Sequence, residues 1–259
     1  MPEPINAITV CVEYADLLAL TLPWNQFFWN RIVVVTSPED EQTIELCRKF
    51  AADGLQVHCH QTNAFYARKA KFNKWAALEE GLDVLGRDGW LLIHDADIAI
   101  QPCNHPFEPQ VGRLYTPIRH VMKDISKGLI PPTNEWRKHK PMRLNEEFNG
   151  YFQLFHANDP VLGPAPWHSV DWTWAGGGDT EFHKKWPDKM KTRPPFRCLH
   201  LGPTEVNWCG RVTPFIDGTT HAEAGVRLEH AQIIKRARRD RRHGFHGDRY
   251  RGAGLDPEN

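Results

Sequence analysis

Four short apolar runs constrain this chain more than any other feature: INAITVCV (5–12), RIVVVTS (31–37), LQVHC (55–59) and WLLIHD (90–95). Their bounded, β-branched character reads as buried strands. Helical patterns separate them. YADLLALTLPWNQFFWN (14–30) has loose helical spacing interrupted by Pro23. PEDEQTIELCRKFAADG (38–54) opens on Pro and acids and stops at Gly54, and ARKAKFNKWAALEEGLDVLG (67–86) is a second helix. Strands alternating with helices predict an α/β chain with a mostly parallel, doubly wound sheet. In such sheets ligands bind beyond the carboxyl ends of the strands. Asp95 and Asp97 fall at that end of the fourth strand.

Two carboxylates one residue apart raise each other's pKa unless a positive charge sits between them. The pair therefore calls for a cation, and hard oxygen ligands suit Mg²⁺ or Mn²⁺, which also bind substrate phosphates. Taken alone, such a pair is more often two solvated turn aspartates; the apolar strand before it favours chemistry. AGGGDTEF (175–182) sets three glycines before Asp179 at the expected start of a short helix. Glycines let backbone approach a ligand closely, and Asp179 there suits a general base. The ordinary reading is a helix-capping aspartate. In CLHLG (198–202), His200 lies in an apolar run. Such a histidine is more often core, but imidazole is a good third ligand beside two carboxylates.

After residue 102 the rhythm is lost. RLYTPIRHVM (113–122), GYFQLFHA (150–157) and RCLHLG (197–202) read as strands, and residues 119–145 form a Pro-rich connection with seven Lys/Arg against two acids. A connection this long suggests a functional loop or lid. The expected organisation is a site-building half over 1–102 and a second half over 103–230. A basic, flexible tail over 231–259 completes it. Residues 235–251 carry eight Lys/Arg against two Asp, although the whole chain is formally neutral. Six scattered cysteines with no CxxC spacing argue against a zinc ribbon and fit reduced thiols. No export signal and no apolar run of membrane-spanning length is present, which together predict a cytoplasmic protein.

Taken in order, VVVTSPED, KFNKWAALEEGLD, LLIHDADI, FNGYFQLF, WAGGGDTEF and LHLGPTEVNW resemble the GT-A class of nucleotide-sugar glycosyltransferases. The likeness is greatest to the branch with the β-1,4-galactosyltransferases and the galactosyltransferase-like half of the polypeptide GalNAc-transferases. It spans roughly residues 5–210. The resemblance implies a GT-A, Rossmann-like single domain that moves a sugar from a nucleotide diphosphate sugar, UDP-sugar the first candidate, to an acceptor hydroxyl. It implies that Asp95 lies near ribose and metal, that Asp97 and His200 complete the metal site with it, and that Asp179 deprotonates the acceptor. Gly176, Gly177 and Gly178 would lie beneath the donor sugar. Lys71, Asn73 and Lys74 would face the donor nucleotide, and Thr36 and Asp40 its base and ribose. Glu13 and Tyr14 are further candidates for base contact. Many relatives carry an acid where this chain has Gly178, while Glu181 follows two residues after Asp179. The division of work between Asp179 and Glu181 stays open, with inversion the expected outcome.

Two other classes compete. A haloacid-dehalogenase-like phosphatase also uses an Asp pair after a strand. Its pair normally sits on the first strand, with Thr or Val where this chain has Ala99. A non-enzymatic nucleic-acid-binding protein would explain the Arg-rich tail. A transferase whose acceptor is a polyanion, such as DNA carrying hydroxylated bases or an anionic glycan, joins the two lines.

Overall fold

The computed structural model describes residues 3–103, 107–139, 141, 148, 150–204 and 206–242, the last with side chains through 233 and at Arg236. Strands β1 (Ile5–Val10), β2 (Arg31–Thr36), β3 (Val57–Gln61) and β4 (Trp90–His94) alternate with helices α1 (Ala15–Asn25), α2 (Glu41–Ala52) and α3 (Lys74–Leu85). These four strands pair in parallel in the spatial order β3-β2-β1-β4. Three strands from the second half extend the same sheet. They are β8 (Phe152–His156), antiparallel to β4, then β6 (Leu114–Tyr115), then β9 (Lys191–Thr192). The mostly parallel α/β sheet with flanking helices is thus observed.

Alternating strand residues build two cores. Ala7, Ile32, Val34 and Leu92 pack with Leu18 and Leu22 of α1 and Cys47 of α2 on one face. Ile8, Val33, Val35, Leu91 and Ile93 pack with Trp75, Leu78 and Leu82 of α3 on the other. Burial on both faces is why β4 reads as a continuous apolar run.

Expected boundaries shift in three places, each for a local reason. The run 113–122 splits at Thr116-Pro117, so that β6 stays in the large sheet. Its continuation, β7 (Ile118–Met122), enters a second sheet of order β5-β10-β7, with β5 (Ile98–Ile100) and β10 (Arg197–Leu201). The helix expected from residue 67 starts at Lys74, because Asn73 caps it: its Oδ1 accepts the Ala76 amide at 3.0 Å. The tail expected to be flexible from 231 is helical through Arg242, in α5 (Ala224–Arg242). The remainder of the basic tail, 243–259, and most of 140–147 at the end of the basic loop lie outside the described residues. Among the described residues no helix is long and apolar enough to cross a membrane.

Candidate active site

Where β4 ends, the chain turns sharply. The Asp95 amide donates to the Tyr151 carbonyl, and the Ile98 amide reaches back to the Asp95 carbonyl at 3.2 Å. This Asp95–Ala96–Asp97–Ile98 turn lets both carboxylates face one region although alternate strand residues would diverge. Antiparallel pairing of β5 with β10 sets His200 opposite Ile98, and the Leu201 amide donates to the Asp97 carbonyl. Two distant segments meet: His200 Nε2 lies 3.4 Å from Asp97 Oδ2.

That pair has an informative polarity. His200 Nδ1 lies 3.2 Å from the Gly202 carbonyl oxygen, so it carries the proton and Nε2 presents a lone pair. Burial pushes the imidazole pKa down against the opposing pull of Asp97. Burial likewise pushes the Asp97 carboxyl up, with the His200 ring opposing. Asp97 Oδ1 is buried without a hydrogen-bond partner. A neutral imidazole lone pair facing a buried carboxylate is an unfavourable contact unless a cation joins them, and two such donors suit a divalent ion.

Asp95 is satisfied differently. Lys74, the first residue of α3, donates to Asp95 Oδ1 from a partly buried position. Burial disfavours the Lys74 charge, yet Asp95, with Asp179 and Asp97 nearby, holds its pKa above the usual lysine value. Among the described residues no three His, Cys, Asp or Glu side chains are grouped to hold a metal ion. Asp97 and His200 converge as two side-chain donors, while the Asp95 carboxylate is turned to the ammonium. A divalent ion would fit with those two donors and substrate oxygens or waters completing its shell.

Helix α4 (Gly178–His183) carries Asp179 to the same region. Its Oδ2 accepts the Gly150 amide at 2.9 Å and its Oδ1 the Thr180 amide at 2.8 Å. Glu181, two residues on, is exposed and accepts a bond from Trp172 Nε1 at 3.3 Å. The structure brings Asp179, not Glu181, towards Lys74 and the Asp95 turn.

The glycines before α4 have a packing reason. A Cβ on Gly178 would stand 2.5 Å from the Trp75 ring, and one on Gly177, whose φ is +108°, would stand 2.6 Å from Trp172. Gly176 is buried beside them. Two tryptophan faces thus account for the backbone approach at Gly177 and Gly178.

Other expected contact residues have structural partners. Asp40 caps α2 through the Thr43 amide and accepts bonds from Thr36 Oγ1 at 3.0 Å and the Glu13 amide at 2.7 Å. Asn73 caps α3 and donates to the Val170 carbonyl. Lys71 is exposed, its amide bonded to the Thr173 carbonyl. Glu13, at φ +64°, is held by Arg227 and by His221 at 3.1 Å, and the Tyr14 ring lies 4.7 Å from the Arg211 guanidinium. Thr36, Asp40 and Glu13 therefore form one knot at the ends of β1 and β2.

Sequence reasoning missed Arg119. It is buried on β7 beside β10, its guanidinium 4.1 Å from the Tyr151 ring centre, and its charge acts on both Asp97 and His200. An arginine inside the apolar run PIRHVM was the available signal. Also missed was Glu79 in α3, whose carboxylate accepts the amides of Trp167 and His168 and the His168 ring, and pairs with Arg87 at 2.8 Å. These bonds fix the segment leading to the glycines.

No protein-family model matches the chain. No curated protein matches it either. Among solved structures, GalNAc-T7 with UDP, GalNAc and Mn²⁺ is similar with a TM-score of 0.54 at 14% identity, over 79% of this chain and 44% of that one. The chain thus spans under half the length of that relative. The glucosyl-3-phosphoglycerate synthase of M. tuberculosis is similar at a TM-score of 0.42 and 10% identity, over 91% of this chain and 80% of that one. The architecture, with its parallel β3-β2-β1-β4 core, is a GT-A-like α/β fold, the fold shared with that structure.

Proposed function

We propose that this protein is a glycosyltransferase that moves a sugar from a nucleotide diphosphate sugar, a UDP-sugar in the first instance, to an acceptor hydroxyl with the help of Mn²⁺ or Mg²⁺. The observation that carries the reading is the Asp97–His200 contact, two lone-pair donors converging at the end of the central strand. Charge bookkeeping agrees. Lys74 lies near Asp95, Asp97 and Asp179, and Arg119 acts on Asp97, while an incoming diphosphate adds at least two negative charges. A divalent ion held by Asp97 and His200 would supply charge stabilisation for the departing diphosphate.

The remaining chemistry belongs to the chain. Lys74, paired with Asp95, sits where it can hold a phosphate oxygen beside that carboxylate. Arg119 adds a second fixed positive charge to the site. Asp179, aligned by the Gly150 and Thr180 amides, accepts the acceptor's proton as the glycosidic bond breaks. Attack from the base's side predicts inversion at the anomeric carbon. Asp97, His200 and Asp95 are the proposed metal and diphosphate group. Gly176, Gly177 and Gly178 are proposed to shape the floor beneath the sugar. Lys71 and Asn73, with Thr36 and Asp40, are proposed to border the nucleotide. The acceptor is proposed to be a polyanion, DNA or an anionic glycan, and six free thiols suit a cytoplasmic setting.

Calorimetric titration of UDP, GDP and dTDP with and without MnCl₂, followed by hydrolysis of the matching sugar nucleotides, tests the reading. Mn²⁺-dependent binding of one diphosphate is expected. Equal binding of all three without the ion would overturn it.

A further inference from the structure

One face of α1 is polar where a buried helix face is ordinarily apolar. Thr21, Trp24 and Asn25 stand at spacings of three and four residues, which places them side by side. Thr21 and Asn25 are wholly buried. Leu17, one turn earlier, anchors the same face against Ala99, Leu199 and Leu201. A buried hydroxyl and a buried amide are costly unless they meet partners. Their partners here are all backbone groups beside the candidate site. Thr21 Oγ1 donates to the Ala96 carbonyl at 2.6 Å. Asn25 Nδ2 donates to the Ile98 carbonyl and Asn25 Oδ1 accepts the Ile100 amide, each at 2.8 Å. Trp24 Nε1 donates to the Ile100 carbonyl at 2.8 Å.

Strand β5 lies at the edge of its sheet, with β10 on one side. Antiparallel pairing sets Ala99 opposite Leu199, and the Gln101 amide donates to the Arg197 carbonyl. The backbone groups of Ile98 and Ile100 therefore point the other way. Asn25 and Trp24 meet the Ile98 carbonyl and both groups of Ile100, and the Ile98 amide closes the turn onto the Asp95 carbonyl. Asn25 thus takes the place of a neighbouring strand. The turn is held at successive carbonyls: Ala96 by Thr21, Asp97 by the Leu201 amide, Ile98 by Asn25. The Asp97 carboxylate gains no such hold from its own Oδ1, which is buried without a hydrogen-bond partner, and its Oδ2 faces the His200 lone pair. It would swing away from that contact if its backbone could yield.

We infer that Thr21 and Asn25 are positioning residues: acting through the backbone of the Asp95–Ile98 turn, they hold the Asp97 carboxylate against His200 and so set the affinity of that pair for a divalent ion. The ion's part rests on the glycosyltransferase reading, whereas the hold on the turn does not. Neither side chain is exposed, so their effect passes through Ala96, Ile98 and Ile100. Such an ion needs this stiffness, because Mg²⁺ and Mn²⁺ bind well only when their donors are fixed near the ligating positions. Residues standing behind metal-binding donors typically carry roughly 10- to 100-fold of the affinity.

The test uses the full chain and the variants Thr21→Val, Thr21→Ser and Asn25→Ala. Valine keeps the shape of threonine and loses the hydroxyl, which serine keeps. UDP is titrated calorimetrically with and without MnCl₂, and amide hydrogen exchange of the folded proteins is read by NMR. Thr21→Val should weaken Mn²⁺-dependent UDP binding roughly 10- to 100-fold and leave ion-free binding unchanged. Thr21→Ser should restore most of the loss. The Ile98 and Leu201 amides should exchange about tenfold faster in Thr21→Val and Asn25→Ala, with those of Val33 and Val34 in β2 unchanged. A merely structural role would speed exchange alike at all four amides and keep ion-dependent binding; that result overturns the proposal. Equal loss in Thr21→Ser and Thr21→Val overturns it too, since the hydroxyl would then not be the hold. Should Thr21→Val fail to fold, Asn25→Ala gives the same two readouts, its cavity admitting water to the Ile98 carbonyl and the Ile100 amide. A wild-type protein whose UDP binding ignores MnCl₂ condemns the metal reading alone, and the exchange rates then decide whether Thr21 and Asn25 hold the turn.

Discussion

At the scale of single residues, the candidate site trades stability for chemistry. Burial raises the Asp97 pKa, so its ionised form works against the folded state. The sign follows: a carboxyl whose folded pKa exceeds its unfolded one adds stability at low pH and loses it as pH rises through the folded value. Asp97→Asn, which also offers an amide hydrogen to the His200 lone pair, should raise Tm by about 2–4 °C at pH 7.5 without metal. It should also abolish Mn²⁺-dependent UDP binding. Calorimetry and a thermal melt check both halves, and a lowered Tm would show that Asp97 is a structural residue. Asp179→Asn keeps the shape of the side chain and one of the two bonds accepted from the Gly150 and Thr180 amides, but cannot take a proton. It should leave donor binding intact and lower transfer roughly 10²- to 10⁴-fold. Unchanged transfer would move the base to Glu181.

Elements depend on a few contacts that cross the chain. The loop before α4 lies flat on Trp75 because Gly178 lacks a side chain. Gly178→Ala should therefore cost about 1–3 kcal/mol, read by urea unfolding, since the ring cannot retreat from a packed core. Asp179 would shift with the loop, so transfer should fall more than donor affinity. Arg211 is fully buried, pairs with Asp16 through both guanidinium ends, and satisfies the Glu13, Thr213 and Pro214 carbonyls. Arg211→Met would strand a carboxylate and three carbonyls, at an expected loss of about 3–5 kcal/mol. A chemical melt within 1 kcal/mol of wild type would mean that the segment 211–216 is not fastened as described.

Across the whole molecule, several histidines are held neutral by burial. His168 is stacked between Trp75 and Phe182, and burial pushes its pKa down although Glu79 pulls the other way. Burial also lowers His120, whose Nε2 accepts a bond from Arg197, and His183. The unfolded chain takes these protons near pH 6.5 and the folded chain resists, so stability is intact above that pH and lost as pH falls below it. Melts at pH 7.5, 6.5 and 5.5 should show Tm steady between the first two and several degrees lower at the last; a constant Tm would contradict this. What the sequence determined by itself was local: β-branched runs, helix stops and the Asp95–Asp97 pair at a strand end made the parallel core legible, because these signals lie within a few residues of one another. The tertiary structure alone decided which groups meet. Lys74 reaches Asp95 across 21 residues, His200 reaches Asp97 through strand pairing, and Arg119 enters the site from a strand that changes sheets. Gly177 and Gly178 sit against Trp172 and Trp75, and the chain from 231 to 242 continues a helix whose root is fastened to Glu13. Such pairings depend on register and on burial of partners distant in the chain, and neither is written in any short stretch of residues.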